Sequence, residues 1–220
     1  MSKLQDLINK LCPNGVEFVK FSDVADYIRG ITYRKSDEVK ADGIPILRAN
    51  NITLEYNALN FNEVKYIKTS AKIKDSQYLY HDDILICAGS GSKDHVGKVA
   101  FINEDMRYAF GGFMAVIRVK NSSILLPRFL FHNLTSQNFR KYIRSEIEVS
   151  TINNLNNGIV NNFKIPVPPL PVQEKIVKIL DKFESLCNDL VKGLPAEIEA
   201  RRKQYEFYRD KLLNFEEIRN

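Results

Sequence analysis

The stretch FKIPVPPLPVQEKIV, residues 163–177, divides the chain into two regions with different patterning. Pro166, Pro168, Pro169 and Pro171 fix φ and remove backbone donors, so an extended strap is predicted here. Pro171 suits the first turn of a following helix, and Glu174 lies close to that helix's positive N-terminal end. Before the strap the elements read as short and β-like; after it they read as helical.

In the first region VEFVKFSDVADYIRG (16–30) predicts a short strand leading into a short helix that stops at Gly30. GIPILRANNI (43–52), VKYIK (64–68), DILICA (83–88), KVAFI (98–102) and FMAVIRV (113–119) predict strands, with Asn, Asp and Gly between them. LPRFLFHNLTSQNFRKYIRSE (126–146) predicts one helix, and the asparagine-rich STINNLNNGIVNNF (150–163) a loop or short capped turn.

After the strap, Ile176, Ile179, Phe183, Leu186 and Leu190 recur three and four apart. The stripe resumes at Leu194, Ile198, Arg201, Tyr205, Tyr208, Leu212 and Phe215, with a one-residue slip of phase where Gly193 and Pro195 stand. A kink or break is expected there. A helix of roughly 40 residues is about 60 Å long, and its stripe must be covered. It can fold back on its own region, whole or as a helical hairpin, or pair with another helix. The expected fold class is therefore α+β: a mixed α/β domain over residues 1–165 with many short strands, then a strap and long coiled-coil-type helix over 166–220.

The composition is that of an ordinary globular chain, and no apolar run reaches the roughly 18 residues of a membrane span. Cys12, Cys87 and Cys187 are few and widely spaced, which suits reduced thiols and a cytoplasmic location. His81, His95 and His132 show no metal-ligand spacing, so no metal site is expected. The net charge of +5 is unevenly spread: residues 1–165 hold 22 Lys and Arg against 17 Asp and Glu, residues 166–220 hold 10 of each. A basic first region attracts nucleic-acid phosphates; a merely solvated surface is the plainer account.

GSGSKDHVGKVAFI (89–102) superficially suggests a phosphate loop. Gly91 and Gly97 are one residue too far apart for that loop, Val99 replaces the hydroxyl after Lys98, and Asp94 stands where a dinucleotide turn needs glycine. Strand, Gly/Ser loop, strand is the better reading. Catalytic constellations are equally poor. VPPL lacks the polar residue that an amino-methyltransferase places before its prolines, Glu38–Lys40 and Glu63–Lys65 are common tripeptides, and Cys87 ends an apolar strand before His95. Arg34, Lys35, Arg48, Asn50, Asn51, Ser90, Ser92, Lys93 and Lys98 occupy loops and strand ends, and such groups pair with base edges and phosphates.

DILICAGSGSKDHVGKVAFI, FKIPVPPLPVQEKIVKILDKF and GLPAEIEARRKQYEFYRDKLLNF resemble the DNA specificity subunits of type I restriction-modification systems, and VEFVKFSDVADYIRGITYRK is in the same style. The resemblance implies a non-catalytic target recognition domain over residues 1–165 that reads half of a split double-stranded DNA site. It implies a spacer helix beyond, which docks the methyltransferase subunits. S-adenosylmethionine would be bound by that partner, and this chain itself needs no cofactor. A restriction and translocation subunit completes systems that have one. A full specificity subunit carries two recognition domains, and no internal repeat is present here, so a half-length form, natural or truncated, is expected. Two copies would pair as a homodimer through Ile176, Ile179, Phe183, Leu186, Leu190, Ile198, Tyr205, Tyr208 and Leu212 and read a palindromic split site. The alternative is a helical assembly module without sequence-specific DNA binding.

Overall fold

The computed structural model describes residues 2–53, 56–149, 154–189 and 195–215. Thirteen strands are present among them: β1 (Phe18–Lys20), β2 (Ala25–Arg29), β3 (Glu38–Val39), β4 (Ile44–Leu47), β5 (Ile52–Thr53), β6 (Ala58–Leu59), β7 (Lys65–Ile67), β8 (Tyr78–Leu79), β9 (Ile84–Cys87), β10 (Val99–Phe101), β11 (Met106–Phe110), β12 (Met114–Val119) and β13 (Lys164–Pro166). The helices are α1 (Ser2–Leu11), α2 (Phe21–Val24), α3 (Pro127–Thr135), α4 (Gln137–Val149), α5 (Asn157–Asn162), α6 (Leu170–Asp189) and α7 (Pro195–Leu213). The α+β class expected from the sequence is the one observed.

A four-stranded antiparallel sheet, ordered β10-β9-β12-β2, forms the middle of the molecule. Side chains alternate across a strand, and here both faces are buried. Ile84, Ile86, Ala115 and Ile117 point to a core shared with the helices, whereas Leu85, Cys87, Met114 and Val116 point to a second core. That second core is closed by residues of a five-stranded sheet, β3-β7-β4-β11-β8, in which β4 and β11 are parallel. A sheet covered on both faces needs continuous apolar strands, and ILIC and MAVI supply them. Arg118 on β12 crosses between the sheets: its Nε and Nη2 each meet a carboxylate oxygen of buried Asp83 at 2.7 Å, and Nη2 reaches the Tyr78 carbonyl at 3.3 Å.

The strap behaves as expected. Lys164–Pro166 forms β13, paired antiparallel with β1, and Pro171 lies in the first turn of α6. The larger core takes Leu4 and Phe129 together with Val172, Ile176, Leu180 and Leu212, so side chains from both sides of the strap share it.

Two elements differ from the sequence reading. The helix predicted to run to Gly30 is a single turn, α2, and Ala25–Arg29 is a strand, because pairing with all of Val119–Ala115 on β12 outweighs a weak helical pattern. The helix over 126–146 is broken at Ser136, which has ψ 159° and whose hydroxyl donates to the Asn133 carbonyl at 2.6 Å. The C-terminal segment takes the helical-hairpin alternative that the sequence offered: α6 and α7 are separate helices. Phe183 of α6 stacks on Tyr208 of α7 at 5.5 Å, so the two helices lie side by side. The predicted break at Gly193, like Leu190 and Leu194, lies outside the described residues.

Candidate nucleic-acid interface

Between the loops at one edge of the two sheets lies a groove of about 1150 Å³. Its lining brings together Lys35, Arg48, Asn50 and Ser90 from the sequence-predicted set, with Gly89 and Gly91 of the glycine-rich loop. Each is positioned by local chemistry. Arg48 and Asn50 follow β4, where a 3-10 turn over Ala49–Asn51 is held by Asn51, whose side-chain oxygen accepts from the Arg48 N–H at 2.9 Å. The glycine-rich loop joins β9 to β10 as a hairpin, as the sequence indicates. Its base is fastened by Gly97 N–H to the Cys87 carbonyl at 2.8 Å. Gly91 faces open space.

Acidic groups share the wall. Glu63 accepts from the Asn50 amide at 3.2 Å, and Glu38 pairs with Lys65 at 3.0 Å. The Arg48 Nε is buried and has no hydrogen-bond partner. Mixed donors and acceptors of this kind suit base edges, for which Arg, Asn and Glu each have a matching pattern.

Two predicted contacts are corrected. Asn51 is 0% exposed, and besides capping the turn its amide donates to the Asn60 carbonyl at 3.1 Å. Lys98 is 7% exposed and its Nζ donates to the Ile52 carbonyl at 2.9 Å; burial lowers its pKa. Both side chains are spent on internal carbonyls and cannot reach DNA. Arg34 and Ser92 are exposed but do not line the groove, and the Lys93 side chain lies outside the described residues. Cys87, considered above as a nucleophile, is fully buried and its thiol is pushed up by burial.

The other wall was missed by the sequence. It is the turn from β11 to β12, Gly111-Gly112-Phe113, together with Ile31, Thr32, Tyr33 and Asn154. Gly30 passes directly beneath this turn: its N–H donates to the Met114 carbonyl at 3.0 Å, and a Cβ on it would overlap the carbonyl oxygens of Phe110 and Gly111. Gly30→Ala is expected to cost about 2 kcal/mol of stability, since neither backbone can yield. Urea unfolding measures it, and an unchanged midpoint would refute the steric argument.

The profile of the type I restriction modification DNA specificity domain matches residues 13–200. The chain belongs to this specificity-domain family. It is 32% identical over 172 residues to the EcoKI specificity subunit of Escherichia coli K12, covering 77% of this chain and 36% of that one. With the EcoR124I/EcoR124II specificity subunit of E. coli it shares 37% over 116 residues, covering 53% and 26%. The crystal structure of the HsdS subunit from Thermoanaerobacter tengcongensis shares the fold, with a TM-score of 0.60 at 20% identity over 96% of this chain and 50% of that one. The chain thus spans about a third of the EcoKI subunit and half of the HsdS subunit.

Among the described residues, the heptad stripe of this specificity-family chain packs largely within the chain, the fold-back alternative of the sequence reading, so Ile176 and Leu212 are not open to a second copy. Ile176 and Leu212 are buried in the larger core, and Ile179 and Tyr205 pack against it. Phe183 and Tyr208 cover each other. The Ile198 side chain lies outside the described residues, and Arg201 is exposed rather than inserted. Among the described residues of these helices, Leu186, 41% exposed, and Phe207, 62% exposed and off the predicted stripe, face outward.

A polar cluster fixes α6 and α7 onto α3. Arg128 binds Asp181 through Nε at 2.8 Å and Glu184 through Nη2, and stacks over Phe131. His132 Nε2 meets Asp181 at 2.8 Å, and its Nδ1 faces the Tyr205 hydroxyl at 3.3 Å. His132, Asp181 and Glu184 have ligand atoms within 4.8 Å of one another, but the Arg128 guanidinium already occupies both carboxylates.

Proposed function

We propose that this chain is the DNA-reading component of a type I restriction-modification assembly. Residues 1–165 form its recognition domain and 166–220 its strap and spacer. One observation carries the reading: a single groove gathers Lys35, Arg48, Asn50 and Ser90 from three separate loops. The +5 excess charge confined to residues 1–165 supports it, because phosphate contacts supply most non-specific affinity. Family membership supplies the class of ligand, duplex DNA.

The finer reading follows from symmetry. One chain reads one half-site, and two copies pair through the outward faces of α6 and α7, where Leu186 and Phe207 stand exposed. A two-fold dimer reads an inverted repeat with a fixed gap. The paired helices then recruit methyltransferase subunits, which bring S-adenosylmethionine, and a restriction subunit where one exists. This chain contributes recognition, not chemistry, and works in the cytoplasm. No helix among the described residues is long and apolar enough to cross a membrane.

The test uses the chain co-purified with its methyltransferase subunit, on duplexes carrying the sequence found methylated in the host genome. Arg48→Ala is expected to lower affinity for that sequence about tenfold to a hundredfold while leaving binding to scrambled duplex nearly unchanged. Equal affinity for both duplexes by the unmodified complex would replace this reading with that of an assembly module. Light scattering of the chain alone should give twice its 25.3 kDa mass. A persistent monomer would refute pairing through the helices.

A further inference from the structure

Phe113 is the most exposed large apolar side chain among the described residues, at 71%. It is also held by a stiff backbone. Its carbonyl accepts from the N–H groups of both Ala88 at 2.8 Å and Gly89 at 3.0 Å, so the glycine-rich loop is hydrogen-bonded to it. Arg29 Nη2 donates to the Gly112 carbonyl at 2.8 Å, and Met114 N–H closes the turn onto the Gly111 carbonyl at 2.7 Å. Gly30 packs beneath with no room for a Cβ. Three segments therefore clamp the turn while its aromatic ring stays in water.

The other exposed rings are differently placed. Phe61 packs edge-on against Tyr108, and Phe207 against Tyr208. Among the described residues no ring lies against Phe113. It stands instead at the wall of the groove that also holds Arg48, Asn50 and Ser90. An exposed phenyl on a rigid mount, facing donors matched to base edges, is the arrangement that stacks on or wedges between bases.

We propose that Phe113 is an aromatic wedge that enters the target duplex and unstacks one base-pair step, contributing to recognition through the deformability of that step. The proposal rests on the groove being the DNA interface. It commits to a ligand feature the polar residues do not supply: preference for a step that opens easily, such as a pyrimidine–purine step. Phe113 touches DNA without hydrogen bonding, so its contribution is insensitive to salt, unlike that of a phosphate-binding lysine.

The experiment uses the complex with methyltransferase and the genomically methylated duplex, with 2-aminopurine substituted at successive positions. A fluorescence rise at one step, lost in Phe113→Ala and kept in Phe113→Trp, is expected. Phe113→Ala should also weaken specific binding about tenfold to a hundredfold, the range of one stacked base, with an unchanged salt slope and an unchanged melting temperature. A probe that the unmodified complex leaves quenched at every position, or that brightens equally with Phe113→Ala, would overturn the wedge. Specific binding intact with the probe quenched would leave the groove reading standing; loss of sequence preference in the unmodified complex would remove both. A variant that binds DNA normally but no longer retains methyltransferase would reassign Phe113 to a protein contact and overturn the proposal.

Discussion

Asp83→Ala is expected to destabilise the chain by about 3 kcal/mol, the lower end of what breaking a buried ion pair costs. Asp83 is buried and binds Arg118 in a two-point contact, both distances 2.7 Å, while its Oδ2 also accepts the Tyr80 N–H at 2.9 Å. Removing it leaves the guanidinium facing the interior and orphans a backbone donor. Arg118 retains partial access to water, which limits the loss. The pair also orients Arg118 toward the Tyr78 carbonyl on β8 of the other sheet, so the same change should loosen the groove between the sheets' loops and weaken DNA binding more than its distance from the groove suggests. Equilibrium urea unfolding measures the first effect. The double replacement Asp83→Leu with Arg118→Met should recover much of the stability, since a well-packed apolar pair avoids desolvating two charges. If the single and double variants unfold at the same urea concentration, the pair is not the source of the loss.

Acid should release the helices from α3 in a defined window. Burial lowers the pKa of His132 from 6.5 to about 4, against the opposing hydrogen bond to Asp181; the positive charges of Arg128 and Arg209 add to the lowering. Its partners agree with a neutral ring: Nε2–H donates to Asp181, and Nδ1 accepts from Tyr205. Tyr205 is pushed up to about 12, mainly by burial, and so keeps its proton to donate. A base whose folded pKa lies below its unfolded value binds its proton more readily when unfolded. The stability contributed by His132 is therefore complete above about pH 6.5 and falls as pH drops toward 4, by about 3 kcal/mol in all.

Two neighbouring carboxyls modify the acid end. Burial raises Glu184, which gains a proton earlier in the folded state and offsets part of the loss. Asp181 is raised by burial, but the His132 and Arg128 hydrogen bonds outweigh this and hold it low, so its contribution persists to lower pH. Unfolding free energies measured across this range for the unmodified chain and His132→Gln should show the slope in the first and a much flatter profile in the second. Equal slopes would assign the acid sensitivity elsewhere.

The sequence carried the class of fold well where pattern is local. ILIC and MAVI read as strands because short, β-branched apolar runs bounded by Asp and Gly suit a sheet with both faces covered. The strap was legible because proline acts through its own ring. Ala25–Arg29 was misread because its few apolar residues fit either period, and only β12 decides between them. The break at Ser136 carries no glycine or proline to announce it; the following helix is turned by packing of Phe139 and Ile143 into the larger core.

The site shows the same division. Asn50 and Asn51 are adjacent and chemically identical, yet one lines the groove and the other staples the turn that supports it. No local pattern separates them, because the 3-10 turn sends the Asn50 side chain toward Glu63 and that of Asn51 toward the Asn60 carbonyl, both partners distant in sequence. Lys98 looked like a loop lysine until β5 supplied the carbonyl that holds it. By itself the sequence determined the basic character of the first region, the strap and the existence of an apolar helical stripe, since composition and short-range periodicity survive without coordinates, and its motifs carried the resemblance to the family. The tertiary structure alone decided that the stripe is mostly buried within the chain and that Phe113 stands with Lys35, Arg48, Asn50 and Ser90 in one groove. Those residues are far apart along the chain, and only the pairing of β4 with β11 and of β9 with β12 brings their loops to a common edge.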